Sequence, residues 1–159
     1  MNVFGVRVDE VNLEEVLERV SRHVRVGPVR QAYFIVTPNP EQIVQAQEDS
    51  EFKKILNSAD LAISDGSGLR LAGVKTRVSG MALMEVLVKI AAQKGLRVML
   101  VGGRHGVAAA AAENIKRSFP AKQGETLMQL KGVLGIASIQ NPDRGEEEKL
   151  LKQINDFEP

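Results

Sequence analysis

Two hydrophobic rhythms alternate along this chain. Nearly continuous apolar runs stand at residues 31–37 and 61–64, as expected of short strands covered on both faces, and residues 96–101 read as a third strand. Between them, apolar residues recur at helical spacing. Leu13, Val16, Leu17, Val20 and Val24 form one such set, and Leu83, Met84, Leu87, Ile90 and Ala91 form another. Shorter sets, Ile43, Val44 and Ala46, then Phe52, Ile55 and Leu56, predict two further helices starting near Pro38-Pro40 and Asp49-Ser50.

Punctuation supports these elements. Asn12 with Glu15 three positions on reads as a capping box opening the first helix, and Gly27-Pro28 closes it. Residues 2–9 alternate around Gly5 and read as a short strand or a bent strand pair. Residues 69–72 suit a short helix, residues 80–94 a longer one ended by Gly95, and residues 107–119 an alanine-rich one closed by Pro120. The alanines of that run signify helix propensity and close packing. Residues 121–132 carry no clear pattern, residues 133–139 suggest a fourth strand, and Asn141-Pro142-Asp143 turns into a last helix over 146–155.

Strand, loop, helix, repeated, is the grammar of a Rossmann-like α/β fold, a mostly parallel sheet with helices on both faces. One domain over residues 1–159 accommodates it. No strand follows the last helix, so a sheet edge there could pair with another chain.

Composition narrows the function. Hydrophobic residues make up 43% and charged residues 26%, a globular balance. The formal charge of +1 lacks the basic excess of a nucleic-acid binder. With no cysteine, a disulfide framework, a thiol nucleophile and cysteine-based metal sites are excluded. His23 and His105 stand too far apart in sequence to suggest a metal site. The start of the chain has no secretory pattern, and residues 81–92, the longest apolar stretch, are interrupted by Glu85 and Lys89. A cytoplasmic protein is the expectation, with attachment to a membrane surface left open.

In open parallel sheets, ligands bind beyond the carboxyl ends of the strands. Three turns occupy that position: Thr37-Pro38-Asn39, Asp65-Gly66-Ser67-Gly68 and Gly102-Gly103-Arg104. Their polar groups are expected to converge on one cleft. Asp65 reads either as a general base or as an N-cap of the helix that follows, and Gly66 and Gly68 let a ligand approach the main chain. Thr37 and Asn39 can bond a substrate hydroxyl or serve turn chemistry before the prolines. Gly102-Gly103 suits an anion at a helix start, but lacks both the dinucleotide fingerprint and the P-loop lysine. Arg77 and Arg104 are candidate anion partners or plain surface arginines. The Glu146-Glu147-Glu148 run fits a solvated first helical turn.

Taken in order, Phe4-Gly5-Val6-Arg7-Val8-Asp9, Val36-Thr37-Pro38-Asn39-Pro40-Glu41, residues 59–68 around Asp65-Gly66-Ser67-Gly68, Arg77-Val78-Ser79-Gly80 and Val101-Gly102-Gly103 resemble the WecG/TagA/CpsF family of bacterial glycosyltransferases. The resemblance implies an inverting, metal-independent transfer without a cofactor. An N-acetylmannosamine-type sugar would move from a UDP donor to N-acetylglucosamine on diphospho-undecaprenol, for teichoic acid, common antigen or capsule. It implies Asp65 as base, Thr37 and Asn39 in the sugar pocket, Arg77 on the diphosphate or acceptor, and Gly102-Gly103 with Arg104 beside the nucleotide. It also implies a peripheral position at the inner face of the membrane, with oligomeric state left open. The family often has Gly-x-Asp where Gly80-Met81-Ala82 stands, and a Gly-Tyr-aromatic segment where Gly135-Ile136-Ala137-Ser138 stands. Its Gly-x-Pro-x-Gln-Glu motif and basic tail would fall beyond Pro159. The alternative is a non-catalytic nucleotide- or sugar-binding α/β module that keeps the cleft without the chemistry.

Overall fold

The computed structural model describes residues 1–25, 32–120, 128–137 and 143–159. The expected helix end at Gly27-Pro28, the start of the strand at Gln31, the stretch 121–127 and the turn at Asn141-Pro142 lie outside these residues. Contacts gather into two compact units, Met1–Glu85 and Val86–Pro159. Each is described by itself.

The first unit opens with an antiparallel pair, β1 (Asn2–Val3) and β2 (Val6–Arg7). The turn between them uses Phe4 and Gly5 at positive φ. Helix α1 (Leu13–Arg25) starts at the expected capping box: the Glu15 N–H donates to Asn12 Oδ1 at 2.9 Å, and the Asn12 N–H donates to Glu15 Oε2 at 2.8 Å. Strand β3 (Ile35–Val36) leads to α2 (Pro40–Glu48) and α3 (Ser50–Ser58). Strand β4 (Leu61–Ala62) then pairs with β3 in parallel, Ile35 opposite Leu61 and Val36 opposite Ala62. Asp9 bridges to Ile63 on the other edge of β4, also in parallel. A 3-10 turn over Ser67–Ala72 follows, and then the start of α4 (Gly80–Lys94).

Val3, Val6, Val8, Ile43, Leu56, Leu69 and Val74 close together over this pairing as one core, the main source of stability for so short a set of strands. Two expectations need correction. Regular pairing of β3 covers two of the six described residues of the expected run, and these are not covered on both faces: Ile35 and Val36 are half-buried and Phe34 is exposed. By contrast Leu61, Ala62 and Ile63 are completely buried, so β4 is the covered strand.

In the second unit, β5 (Arg97–Val101) pairs in parallel with β6 (Gln129–Val133) over five residues. Helix α5 (Val107–Ser118) connects them in sequence, and α6 (Arg144–Phe157) follows. Strand β6 ends where the sequence pattern placed the start of a fourth strand, so over residues 133–137 that expectation is shifted, while residues 138 and 139 lie outside the described residues. The reason lies at Gly132. A β-carbon there would stand 2.1 Å from the Ala108 carbonyl oxygen. Helix α5 therefore rests directly on the β6 backbone, where a larger residue would mark a strand more plainly. Ala108 and Ala112, both buried, form that contact face, and Val88, Ala91, Met128 and Leu130 complete the core.

Helix α6 packs more lightly. It has no buried residue, a cavity of about 410 Å³ separates it from β6, and the Lys131 ammonium lies 5.9 Å over the Phe157 ring. Each unit thus builds the Rossmann-like α/β arrangement from a parallel pair with helices against it. Among the described residues, no helix is long and apolar enough to cross a membrane.

Candidate active site

The site grows from the carboxyl ends of β3 and β4. Their ladder continues past the regular strands: the Ile63 N–H donates to the Val36 carbonyl at 2.8 Å and the Asp65 N–H to the Pro38 carbonyl at 3.0 Å. Thr37-Pro38-Asn39 and Asp65 are thereby held side by side. Pro38 is buried and cannot donate to the ladder, and Pro40 opens α2.

Asn39 is the N-cap of α2. Its Oδ1 accepts from the Gln42 N–H at 2.8 Å, and Gln42 Oε1 accepts from the Asn39 N–H at 3.3 Å. This reciprocal box commits the Asn39 side-chain oxygen to the helix and fixes the wall of the groove beside Asp65.

Asp65 does not cap the turn that follows it; the N-cap there is Gly66, without a side-chain bond. Instead the carboxylate joins two segments. Oδ1 accepts from the Gly66 N–H at 2.7 Å, and Oδ2 accepts from the Gly80 N–H at 3.2 Å. Gly80 is the first residue of α4, whose start is capped by Ser79 Oγ accepting from the Ala82 N–H at 3.2 Å. A carboxylate at a helix N-terminus also meets the positive end of the helix dipole.

Ser64 brings that helix start into place. It is the buried polar residue beside Asp65; its hydroxyl donates to the Thr76 carbonyl, while its own carbonyl accepts from the Val78 N–H at 3.2 Å. A β-carbon on Gly80 would lie 3.4 Å from Asp65 Oδ2 and 3.5 Å from Thr37 Oγ1. The Thr37 hydroxyl, the Asp65 carboxylate and the Gly80 α-carbon therefore share one small surface.

The groove in front of Asp65 holds about 380 Å³ and is lined by Asn39, Pro40, Glu41, Asp65, Gly66, Ser67 and Gly68. Gly66 has φ +86°, and a β-carbon on Gly68 would meet Pro40 Cγ at 2.8 Å. Both glycines are thus required by the shape of the wall. Arg77 is exposed and lines a second cavity of about 500 Å³ with Asn12, Leu13, Thr76, Val78, Ser79 and Ala82.

In the second unit, Gly102 (φ +116°) and Gly103 (φ +74°) form the turn from β5 into α5, with Gly103, Arg104 and His105 exposed. The Gly102 N–H donates to the Val133 carbonyl at 3.1 Å, which ties the turn to the end of β6. Gly106, also at positive φ, stands at the N-cap of α5 without a side-chain bond. His23 lies with its ring 5.0 Å from that of Tyr33. Among the described residues, no three His, Asp or Glu side chains cluster to hold a metal ion.

Sequence reasoning left Gly80, Ser79, Gln42 and Ser64 without roles. The signals were present for three of them: Ser79-Gly80 precedes an apolar helical run, and Asn39 with Gln42 has capping-box spacing. Ser64 carries no such signal, because its role depends on a segment twelve residues away.

Comparison with known proteins adds the family. The model of the glycosyl transferase WecG/TagA/CpsF family matches residues 1–159. A relative from Bacillus spizizenii (strain W23), an N-acetylglucosaminyldiphosphoundecaprenol N-acetyl-beta-D-mannosaminyltransferase, is 37% identical over 93 residues, which is 55% of this chain and 36% of the relative. A protein of the same name from Staphylococcus aureus is 25% identical across the whole chain, which spans 60% of its length. The chain belongs to the WecG/TagA/CpsF glycosyltransferase family.

Proposed function

Starting from that family membership, we propose that this chain carries the transferase chemistry of the family. It transfers an N-acetylmannosamine-type sugar to N-acetylglucosamine on diphospho-undecaprenol. The donor is a UDP-sugar, and transfer inverts the anomeric centre. The product serves a cell-surface polymer such as teichoic acid, and the enzyme works peripherally at the inner face of the membrane.

In this reading Asp65 is the general base. It takes the proton of the acceptor hydroxyl as that oxygen bonds to the anomeric carbon. The bond from that carbon to the diphosphate breaks on the opposite face, and UDP departs with the electron pair. The Thr37 hydroxyl orients the acceptor beside the carboxylate, while Asn39, Gly66 and Gly68 shape the groove. Arg77 assists with the diphosphate or acceptor. Gly103 and Arg104 offer N–H groups and positive charge to the nucleotide, with Gly102 shaping the turn. No cofactor takes part.

The observation that supports this reading is the bracing of the Asp65 carboxylate. Two main-chain N–H groups from separate segments hold it at the rim of an open groove, with a hydroxyl alongside. A positioned base is worth about 10²–10⁴-fold in rate. Asp65→Asn keeps the shape and removes the base, so transfer to a short-chain lipid-linked acceptor should fall by that factor while the folded NMR spectrum persists. Full transfer by the variant would remove Asp65 as base.

A further inference from the structure

The groove in front of Asp65 has a second carboxylate on its wall. Glu41 follows Pro40 in the first turn of α2 and lines the groove together with Asp65. Its side chain is exposed and, among the described residues, makes no hydrogen bond or ion pair. The hydroxyl of Ser67, also on the lining, is likewise uncommitted. No lysine, arginine or histidine stands among the lining residues. Arg70, two residues beyond Gly68, is not one of them, and Arg77 lines a different cavity.

A glutamate in a first helical turn is ordinarily explained by the helix dipole. Glu51 shows that case: it holds the matching position in α3, directly after the first residue, and lines no part of the groove. Glu41 differs by its place beside Asp65. The two carboxylates give one small, open groove two negative charges, with no lining cation to offset them. Ionised carboxylates only accept hydrogen bonds, and a bond from a hydroxyl to such a group is stronger than one between neutral partners. A ligand suited to this wall supplies hydroxyl donors and carries no negative charge. A phosphate or a carboxylate brought into the groove meets repulsion from both acids.

We propose that Glu41 is a specificity-determining residue of the Asp65 groove. It accepts from a hydroxyl of the sugar residue lying there and, with Asp65, admits a neutral, hydroxyl-rich sugar while turning away its acidic counterpart. The diphosphate of a lipid-linked acceptor then lies outside the groove. This rests on the reading of Asp65 as the base that meets an acceptor hydroxyl.

The experiment is an NMR titration of the 159-residue chain with two methyl glycosides of matched size. One is that of N-acetylglucosamine; the other is that of the uronic acid in which its C6 hydroxymethyl group is oxidised to a carboxylate. Binding is followed at the amides of Gly66, whose N–H donates to Asp65, and Gly68. At about 5 Å in water each carboxylate disfavours a unit negative charge by about fourfold, so the parent should bind the neutral glycoside roughly fifteenfold more tightly than the acid. Glu41→Gln keeps the length of the side chain and an acceptor oxygen but removes the charge, so the preference should narrow to about fourfold. Its affinity for the neutral glycoside should fall about fivefold, as a charge-assisted bond becomes a neutral one. Glu51→Gln should keep the parent's preference, and 0.5 M salt should narrow it. Equal affinity for the two glycosides, resonances of Gly66 and Gly68 that do not move with the neutral one, an unchanged preference or undiminished neutral affinity in Glu41→Gln, or the same narrowing in Glu51→Gln would each overturn the proposal. The two readings fail separately. Full transfer by Asp65→Asn with a narrowed preference in Glu41→Gln removes the base assignment and leaves the selectivity. Loss of transfer in Asp65→Asn with an unchanged preference in Glu41→Gln leaves the base and removes the role of Glu41.

Discussion

In Gly80→Ala, the added methyl lands 3.4 Å from Asp65 Oδ2, 3.5 Å from Thr37 Oγ1 and 3.8 Å from Thr37 Cγ2. These are ordinary van der Waals separations, so the fold accommodates it without a shift. Gly80 does not use positive φ and sits in the first turn of α4. Removing glycine there limits the unfolded chain and should stabilise the protein by about 0.4–1 kcal/mol, or roughly 1–4 °C in melting temperature. The same methyl occupies the surface shared by the carboxylate and the hydroxyl. If an acceptor hydroxyl must approach Asp65 there, a displacement of about 1 Å costs roughly 10²-fold in rate. Thermal melting and a transfer assay on the same preparation read both effects. The expected outcome is a more stable protein with about one-hundredth of the transfer rate. Undiminished transfer would show that the acceptor does not use this face of Asp65, and a lower melting temperature would contradict the spacing around Gly80.

Gly132→Ala forces a β-carbon to within 2.1 Å of the Ala108 carbonyl; the overpacking should cost about 3 kcal/mol, lowering the melting temperature by roughly 6–12 °C, and an unchanged melt would refute direct seating of α5 on β6. Titration with UDP should move the amide resonances of Gly102 and Gly103, whose turn opens α5; resonances that stay in place at saturating nucleotide would discard that turn as a nucleotide contact.

Much of this fold is legible because its helices announce themselves. Asn12 and Glu15 mark the start of α1, and the apolar spacing of Leu83, Leu87 and Ile90 marks α4 over the residues it occupies. The strands are harder. Phe34, Ile35 and Val36 look as buried as Leu61, Ala62 and Ile63 in sequence, yet only the latter set is fully covered. Hydrophobicity alone does not reveal which of two paired strands has neighbours on both edges. Strand β6 hides for a different reason, since Gly132 removes the side chain that would have marked it. At the site, Asp65 stands out by its place between a strand and two glycines. Its partner Gly80 does not, because fifteen residues separate them and the bonds of Ser64 to Thr76 and Val78 help bring them together.

The position of Asp65 follows from register more than from any side-chain contact. In the parallel ladder Val36 faces Ala62, and the bonds from Ile63 to Val36 and from Asp65 to Pro38 carry that register on to the strand ends. Both faces of the strand are covered up to Ser64, which is 2% exposed, and one residue on, at the strand end, Asp65 is half-buried and lines the groove. A slip by one residue would exchange them, burying a carboxylate and exposing the hydroxyl that ties down Thr76. Burial of an unpaired carboxylate is costly enough to make that register unfavourable. By the alternation of side chains along a strand, Leu61 and Ile63 share the face of Asp65, so the strand that buries them completely carries the carboxylate out at its end. The core of the first unit and the aim of its candidate base are therefore consequences of one alignment. Mutations that loosen Leu61 or Ile63 should weaken transfer through the geometry of Asp65 even where the groove itself is untouched.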